Sequence, residues 1–125
     1  MAPRVIFQLG KENHMSVNVK TIIQSKQAEA AQTTQYTATN CKAIVDKFTA
    51  TNTSVSNETI SVNLVASGGS VGDSNLVVKN RSIAPGETYT FPELVGQVLE
   101  PGAFISTIAS VATAVTIRSS GREIT

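Results

Sequence analysis

The only histidine and the only cysteine, His14 and Cys41, are the residues whose types could form a nucleophile and its base. Such partners meet in space and not in sequence, so their separation along the chain does not exclude a Cys–His pair. The context of Cys41, at the start of an apolar segment, is more typical of a small half-buried hydrophobic residue. One thiol also excludes an internal disulfide, and one thiol beside one histidine cannot build a structural zinc site. The sequence therefore predicts no enzymatic activity, no catalytic residue and no metal site.

The acidic side chains and a glycine-rich segment add no constellation for catalysis or cofactor binding. The carboxylates are scattered, and the neighbourhood of Asp73 lacks the acidic density of a calcium loop. Residues 67–74 are rich in glycine but contain no Gly-Lys-Ser/Thr sequence, and no helical pattern follows whose N-terminus could receive a phosphate. We therefore expect a flexible loop between two strands, no cofactor and no small-molecule substrate.

The charges are balanced, with ten basic and nine acidic side chains and a net charge of +1. They form neither a polybasic arm nor an acidic tail, so neither nucleic acid nor a membrane surface is expected as a partner. No apolar run approaches the roughly 20 residues of a membrane span, and the first residues lack a signal-peptide pattern. The protein is therefore expected to remain in the cytoplasm of the cell that makes it.

Short segments rich in β-branched residues predict a protein made mostly of strands. Seven to nine such segments recur at the spacing that is typical of sandwiches and barrels. We predict an all-β fold, a single-domain antiparallel β-sandwich that is jelly-roll-like or immunoglobulin-like, over residues 15–125. The segments with the strongest strand character are residues 16–25, 41–51, 59–66, 75–79, 88–91, 104–108 and 115–118.

The alternation within two of these segments predicts which side chains are buried. In residues 59–66, Ile60, Val62 and Leu64 are expected to face the core, and the intervening polar residues are expected to face solvent. In residues 41–51, Ile44 and Phe48 are placed on one face and Val45 on the other. The Thr- and Ser-rich residues 51–58 between the two segments are expected to form a hairpin connection.

Two Pro-Gly pairs mark tight turns in the last third of the chain. Pro85-Gly86 and Pro101-Gly102 each lie between apolar segments. Proline presets φ near −65° at the first central turn position, and glycine takes the positive φ of the second. The pattern predicts a meander of strands joined by these turns, followed by a last short strand at residues 115–118.

Residues 1–14 are treated as a separate N-terminal extension or arm. Val5, Phe7 and Leu9 belong to a small apolar cluster that the polar residues 11–14 separate from the first predicted strand. One interpretation is a frayed terminus, since chain ends are often poorly ordered unless they are docked. The other is an arm or strand that packs on a neighbouring subunit through these three side chains.

The C-terminal part also carries a family resemblance. It contains Ile-Ala-Pro-Gly-Glu-Thr at residues 83–88, Leu-Val-Gly-Gln-Val-Leu at 94–99, the segment 102–110, and Val-Thr-Ile-Arg-Ser-Ser-Gly-Arg-Glu at 115–123. This order resembles small structural proteins encoded among the head and tail genes of tailed bacteriophages. The resemblance implies a non-enzymatic virion component, such as a decoration, collar, neck or tail accessory protein. It also implies a homo-oligomer whose partners are its own copies and other virion proteins.

A second class of function fits the same pattern of strands. A carbohydrate- or ligand-binding β-sandwich module would also be rich in strands and free of catalytic residues. The two classes differ in assembly, because a virion component buries surface against copies of itself, whereas a ligand module functions as a monomer with a concave pocket.

Overall fold

The computed structural model describes residues 16–125, which form nine β-strands and one short 3₁₀ turn. The predicted extension at residues 1–14, including His14, lies outside the described residues. The all-β prediction and the expected number of strands are confirmed. The strands are β1 (Val17–Gln27), β2 (Thr33–Thr37), β3 (Lys42–Asn52), β4 (Glu58–Val65), β5 (Leu76–Ile83), β6 (Thr88–Thr90), β7 (Val98–Leu99), β8 (Phe104–Ala109) and β9 (Val115–Ile124).

Two antiparallel sheets make the sandwich. Sheet A has the order β1-β9-β3-β6, with the short β7 also paired to β3. Sheet B has the order β2-β8-β4-β5. Apart from β7, the strands pair in nested fashion, since β1 pairs with β9, β2 with β8, β3 with β6 and β4 with β5.

This nested pairing is that of a long antiparallel ribbon rolled up on itself. Rolling adds the pairs β3–β9 and β4–β8, which complete the two sheets. A double sheet of this kind is a jelly roll. Of the two sandwich types that the sequence left open, the structure has the jelly roll.

The core lies between the two sheets and is formed by apolar side chains from both. Phe48 on β3 and Phe91 pack edge to face with ring centroids 5.0 Å apart, and Tyr89 packs on Phe91 at 4.8 Å. Ile60 on β4 and Ile105 on β8 are fully buried on the facing sheet. Since the fold has no disulfide among the described residues, this burial and the backbone pairing hold it together.

A β-bulge in β3 reverses the predicted sidedness of that strand. The register against β9 shifts between Val45 and Lys47, so one extra residue, Asp46, is inserted. Because side chains alternate with a period of two, the insertion places Phe48 on the same inward face as Val45. Ile44 faces outward and is only partly buried. The prediction that Ile44 and Phe48 share a face is therefore wrong.

Both Pro-Gly turns form, but they do not produce the predicted meander. Gly86 has φ +79° and Gly102 has φ +90°, each following proline at the second position of its turn. The closing hydrogen bonds run from Glu87 N to Ala84 O and from Ala103 N to Glu100 O, both 2.9 Å. These are the features of type II turns, whose twist does not match a two-residue hairpin. Each turn instead carries the chain from one sheet to the other.

The connection from β3 to β4 is likewise a crossing between sheets and not the predicted hairpin. Asn52, fully buried at the end of β3, organises it. Its Nδ2 donates to Ser56 O at 2.7 Å and to Ile83 O at 2.8 Å, and its Oδ1 accepts from Ser54 N at 2.8 Å. One buried side chain thus holds both the connection and the end of β5.

Strand β4, one of the two interior strands of sheet B, is covered on both faces. Ile60 and Val62 are buried in the core as predicted, whereas Leu64 is only partly buried. Asn63, on the opposite face, is 2 % exposed because residues 66–75 fold over it. Its Nδ2 donates to Gly72 O at 3.0 Å and to Asn75 Oδ1 at 2.7 Å. The glycine-rich segment is therefore a loop fastened to the sheet, and the expectation of a solvent-facing Asn63 is wrong.

Candidate assembly surface

The outer face of sheet A carries apolar side chains on either side of Arg122, and the three valines among them are exposed within residues 16–125. Val19 on β1 pairs with Arg122 on β9, Arg122 pairs with Ile44 on β3, and Ile44 pairs with Val98 on β7. Residues directly opposite one another in a sheet project on the same face. The next row of the same sheet adds Val17 and Ile124. We call these residues the apolar strip: Val17, Val19, Ile44, Val98 and Ile124.

The exposure of the valines in the strip is unusual for a strand. Val19 is 86 % exposed, Val17 is 56 % exposed and Val98 is 47 % exposed. Singly exposed apolar residues need no explanation, but several on one sheet face favour an interaction surface. The sidedness follows from the fold, because the alternate residues of β3 and β9 fill the core.

Two ion pairs lie beside the strip: Arg122 with Asp46, and Lys42, which is directly opposite Ile124, with Glu100 at 3.6 Å. Arg122 donates to both carboxylate oxygens of Asp46, at 2.9 Å from Nε and 2.8 Å from Nη2. This bidentate contact holds the pKa of the Asp46 carboxyl below its usual range and raises the pKa of Arg122. In both pairs the opposite charges compensate each other, so the strip can be buried without leaving an uncompensated charge.

The free edge of β1 adjoins the apolar strip. Ser16 and Thr125 exchange both of their backbone hydrogen bonds, at 3.2 and 3.0 Å, which fixes the phase of the β1–β9 ladder. Antiparallel pairs alternate between bonded and non-bonded positions. Val17, Val19 and Thr21 therefore point their N–H and C=O groups away from β9. Because β1 is the last strand of sheet A, these groups have no backbone partner within residues 16–125.

A half-buried tyrosine ties the two sheets together near this edge. The Tyr36 hydroxyl on β2 donates to Glu123 Oε2 on β9, and Lys20 Nζ lies 3.2 Å from Glu123 Oε1. Burial and the adjoining carboxylate raise the pKa of Tyr36, and the hydrogen bond from Tyr36 lowers the pKa of Glu123. The raised pKa keeps the phenol of Tyr36 protonated, and the lowered pKa keeps the carboxylate of Glu123 ionised. The pair therefore acts as a structural link between the two sheets.

The residues considered for chemistry do not come together. Cys41 is buried, and its Sγ lies 3.9 Å from the Tyr36 hydroxyl. His14 falls outside the described residues, as do Val5, Phe7 and Leu9. Within residues 16–125, no group of three or more histidine, cysteine or acidic residues is placed to hold a metal ion. That same part of the chain contains no helix long and apolar enough to cross a lipid bilayer.

A surface cavity of about 560 Å³ lies beside the bulge of β3. Its lining includes Phe48, Pro92 and Val95 among the apolar residues. Its one carboxylate, Asp46, is already bonded to Arg122. The volume is in the range of small-molecule sites, but few polar groups converge there to orient a ligand.

Sequence reasoning did not identify the apolar strip. The alternation of Val17 and Val19 is visible in the sequence, but alternation alone does not tell which face is covered by the second sheet. Ile44 joins the strip because β3 pairs with β9, and Val98 joins it because β7 pairs with β3. Identifying the strip therefore requires the tertiary structure, which shows how the strands pair and which sheet face is covered.

The nested strand order and the uncovered sheet face define a jelly-roll β-sandwich with an open lateral surface. No protein-family model matches the chain, and no curated protein sequence does. Among solved structures, the chain is similar to one from the T13 viral particle of infectious bursal disease virus, with a TM-score of 0.51 and 13% identity over 88% of this chain. It spans 31% of that viral chain.

Two further structures of the same virus show lower similarity. The Gx strain gives a TM-score of 0.48 with 12% identity, covering 90% of this chain and 31% of the viral chain. The VP2 subviral particle gives 0.47 with 13% identity, covering 90% and 32%. At these identities the likeness concerns the fold, and none of the three structures comes from a tailed bacteriophage.

Proposed function

We propose that this protein is a non-enzymatic structural component of a virus particle, in which copies associate through the outer face of sheet A. The observation that carries the proposal is the apolar strip, whose residue at the sheet edge, Val19, is 86 % exposed. Burying such a surface against another subunit removes apolar area from water, at roughly 25 cal/mol per Å². The jelly roll is a fold used by viral capsid domains, although lectins and cupins share it.

The finer assignment rests on the sequence resemblance. The order of motifs in residues 83–123 favours an accessory protein on the capsid, neck or tail of a tailed bacteriophage. In this proposal the protein forms a homo-oligomer, contacts other virion proteins and resides in the virion after synthesis in the host cytoplasm. Val5, Phe7 and Leu9 contribute to the subunit interface.

Sedimentation of the full chain over a range of concentrations tests the self-association. We expect a discrete oligomer, and we expect Val19→Glu to weaken its association constant at least tenfold. Glutamate opposite Arg122 leaves an opposite-charge pair across the strands, so the variant retains its fold. Val55→Glu is the matched control, because Val55 is 94 % exposed but lies outside the strip. A chain that stays monomeric at every concentration, or a Val19→Glu variant that associates like the control, contradicts the proposal.

The cavity of about 560 Å³ beside the β3 bulge favours the second candidate, a carbohydrate- or ligand-binding module. That function predicts a monomer whose melting temperature rises on addition of a ligand, since binding to the folded state stabilises it. A screen of sugars by thermal shift, with Val95→Glu as the cavity-blocking control, distinguishes the two candidates. Stabilisation that Val95→Glu abolishes would favour the ligand module.

A further inference from the structure

We infer that the free edge of β1 receives residues 5–9 of a neighbouring copy, which add a strand to sheet A. The inference rests on the proposed self-association and specifies how it occurs. The receiving edge presents the N–H and C=O groups of Val17, Val19 and Thr21, which face away from β9. An added strand satisfies these groups with backbone hydrogen bonds while covering the adjoining apolar strip.

The first half of β1 has few of the usual protections of an edge strand. Natural edges are blunted by bulges, by proline or by charged side chains. The register irregularities of β1 fall between Thr21 and Ile23 and between Ile23 and Lys26, so the stretch from Val17 to Thr21 is regular. The one charge in this stretch, Lys20, is held by Glu123 at 3.2 Å. This half of the strand is thus regular and open.

The sequence of residues 5–9 fits that edge. It reads Val-Ile-Phe-Gln-Leu, without charge, glycine or proline, and contains β-branched and aromatic residues that favour strands. Val5, Phe7 and Leu9 alternate, so in an added strand they share one face and continue the apolar strip beyond Val17 and Val19. Five residues of strand rise about 17 Å, which matches the regular stretch of β1.

The connection to β1 favours exchange between copies. Residues 10–16 join the segment to β1, and folding back onto the same strand would require this whole stretch as a hairpin loop. Hairpin loops commonly contain two to five residues. Extended, the connection spans about 23 Å, enough to leave its own sheet and reach a neighbouring one. When every copy donates and receives one segment, the exchange is either reciprocal in a two-fold dimer or head to tail in a ring whose rotation closes.

Disulfide trapping between full-length variants tests the exchange. In a Cys41→Ala background, one protein carries Phe7→Cys and a second carries Val19→Cys. On mixing and mild oxidation we expect a disulfide-linked heterodimer, formed at least tenfold faster than with Val55→Cys in place of Val19→Cys. Replacing Val5 or Leu9 instead of Phe7 gives the register of the added strand.

Amide hydrogen exchange on the unsubstituted chain provides a second measurement. We expect the amides of Val17, Val19 and Thr21 to be protected in the oligomer and to lose that protection when the protein is diluted to monomers. Protection that persists in the monomer would show that the edge is covered within one chain, and it would overturn the exchange.

Other outcomes also overturn the inference and leave the proposed function distinguishable. Rapid linkage of Val19→Cys to itself would mean that two β1 strands pair directly. An intramolecular disulfide in the Phe7→Cys, Val19→Cys double variant, without intermolecular linkage, would mean that the segment docks on its own chain. A further outcome is an oligomer in sedimentation while no cysteine pair forms a disulfide faster than the Val55→Cys control. That result would support self-association and contradict the strand exchange. A strictly monomeric chain would contradict both the self-association and the strand exchange.

Discussion

Glu123 shows how an acidic side chain is used for structure in this protein. Its side chain is 16% exposed, and it accepts hydrogen bonds from the Tyr36 hydroxyl and the Lys20 ammonium. The phenol comes from sheet B and the carboxylate from sheet A, so their bond spans the sandwich at the end where β1 is open. The pKa of Glu123 is lowered chiefly by the hydrogen bond from Tyr36.

Tyr36→Phe should therefore reduce stability in a pH-dependent manner. A carboxyl whose pKa is lower in the folded state stabilises the fold above its unfolded pKa of about 4.3, and this contribution is lost as pH falls through the folded pKa. We expect a loss of about 1.5 kcal/mol at pH 7, as for a hydrogen bond to a charged group. Urea unfolding at several pH values measures it, and the difference from the natural protein should shrink below about pH 4. A constant difference across that range would contradict the coupling.

Gly121 is required by close packing of the backbone in sheet A. A Cβ atom there would clash with the carbonyl oxygen of Ile44 and would lie 3.2 Å from Ile22 Cγ1. We expect Gly121→Ala to destabilise the protein by about 1 to 3 kcal/mol, the typical cost of overpacking. Gly72→Ala is the matched control, because nothing lies within 4 Å of its Cβ position. Equal melting temperatures for the two variants would refute the packing argument.

Among the elements, β4 provides the most direct test of the core. Ile60 is 0% exposed, whereas Leu64 lies near the end of the strand and is only partly buried. Ile60→Ala should cost about 2 to 5 kcal/mol, and Leu64→Ala should cost at least about 1 kcal/mol less. Denaturant unfolding measures both, with Val55→Ala as an exposed control expected to change stability by less than about 0.5 kcal/mol. A larger loss for Leu64 than for Ile60 would contradict the observed sidedness.

The elements also show how far sequence patterns reach. Strict alternation predicts the bounds of β4 to within one residue and the burial of Ile60 and Val62. It does not predict that Ser61 and Asn63 on the other face are buried too. In β3 the alternation fails as a guide at Asp46. This extra residue reverses which face of the sheet each later side chain of the strand occupies. The bulge has no signature in the surrounding residue types.

β9 is the strand that the sequence describes least well. Only residues 115–118 were predicted, yet the strand runs from Val115 to Ile124 through Ser119, Ser120 and Gly121. Small polar residues have low strand propensity, but β9 lies between β1 and β3 and pairs along its length with both. Tertiary pairing overrides local propensity here. The five-residue β2 was also missed, although its threonines and tyrosine favour a strand.

At the scale of the whole molecule, the fold class was predictable and the topology was not. Turns and strand spacing indicate a sandwich, but the type II geometry at Gly86 and Gly102 is what sends the chain between sheets. The candidate assembly surface depends on that topology, because only the placement of β1 at the edge of sheet A leaves Val17 and Val19 open. Composition alone carries no information about which strand is last in its sheet.

The nested pairing has a consequence for synthesis on the ribosome. The partner of β1 is β9, and nearly 90 residues separate the end of one at Gln27 from the start of the other at Val115. At translation rates of about 5 to 20 residues per second, the interval between the synthesis of β1 and that of β9 is roughly 4 to 18 s. During that interval both edges of a valine-bearing strand are open, and neighbouring nascent chains on one messenger RNA carry the same strand at high local concentration. The strand that the finished molecule offers to other copies is thus also the one most exposed to premature pairing between chains.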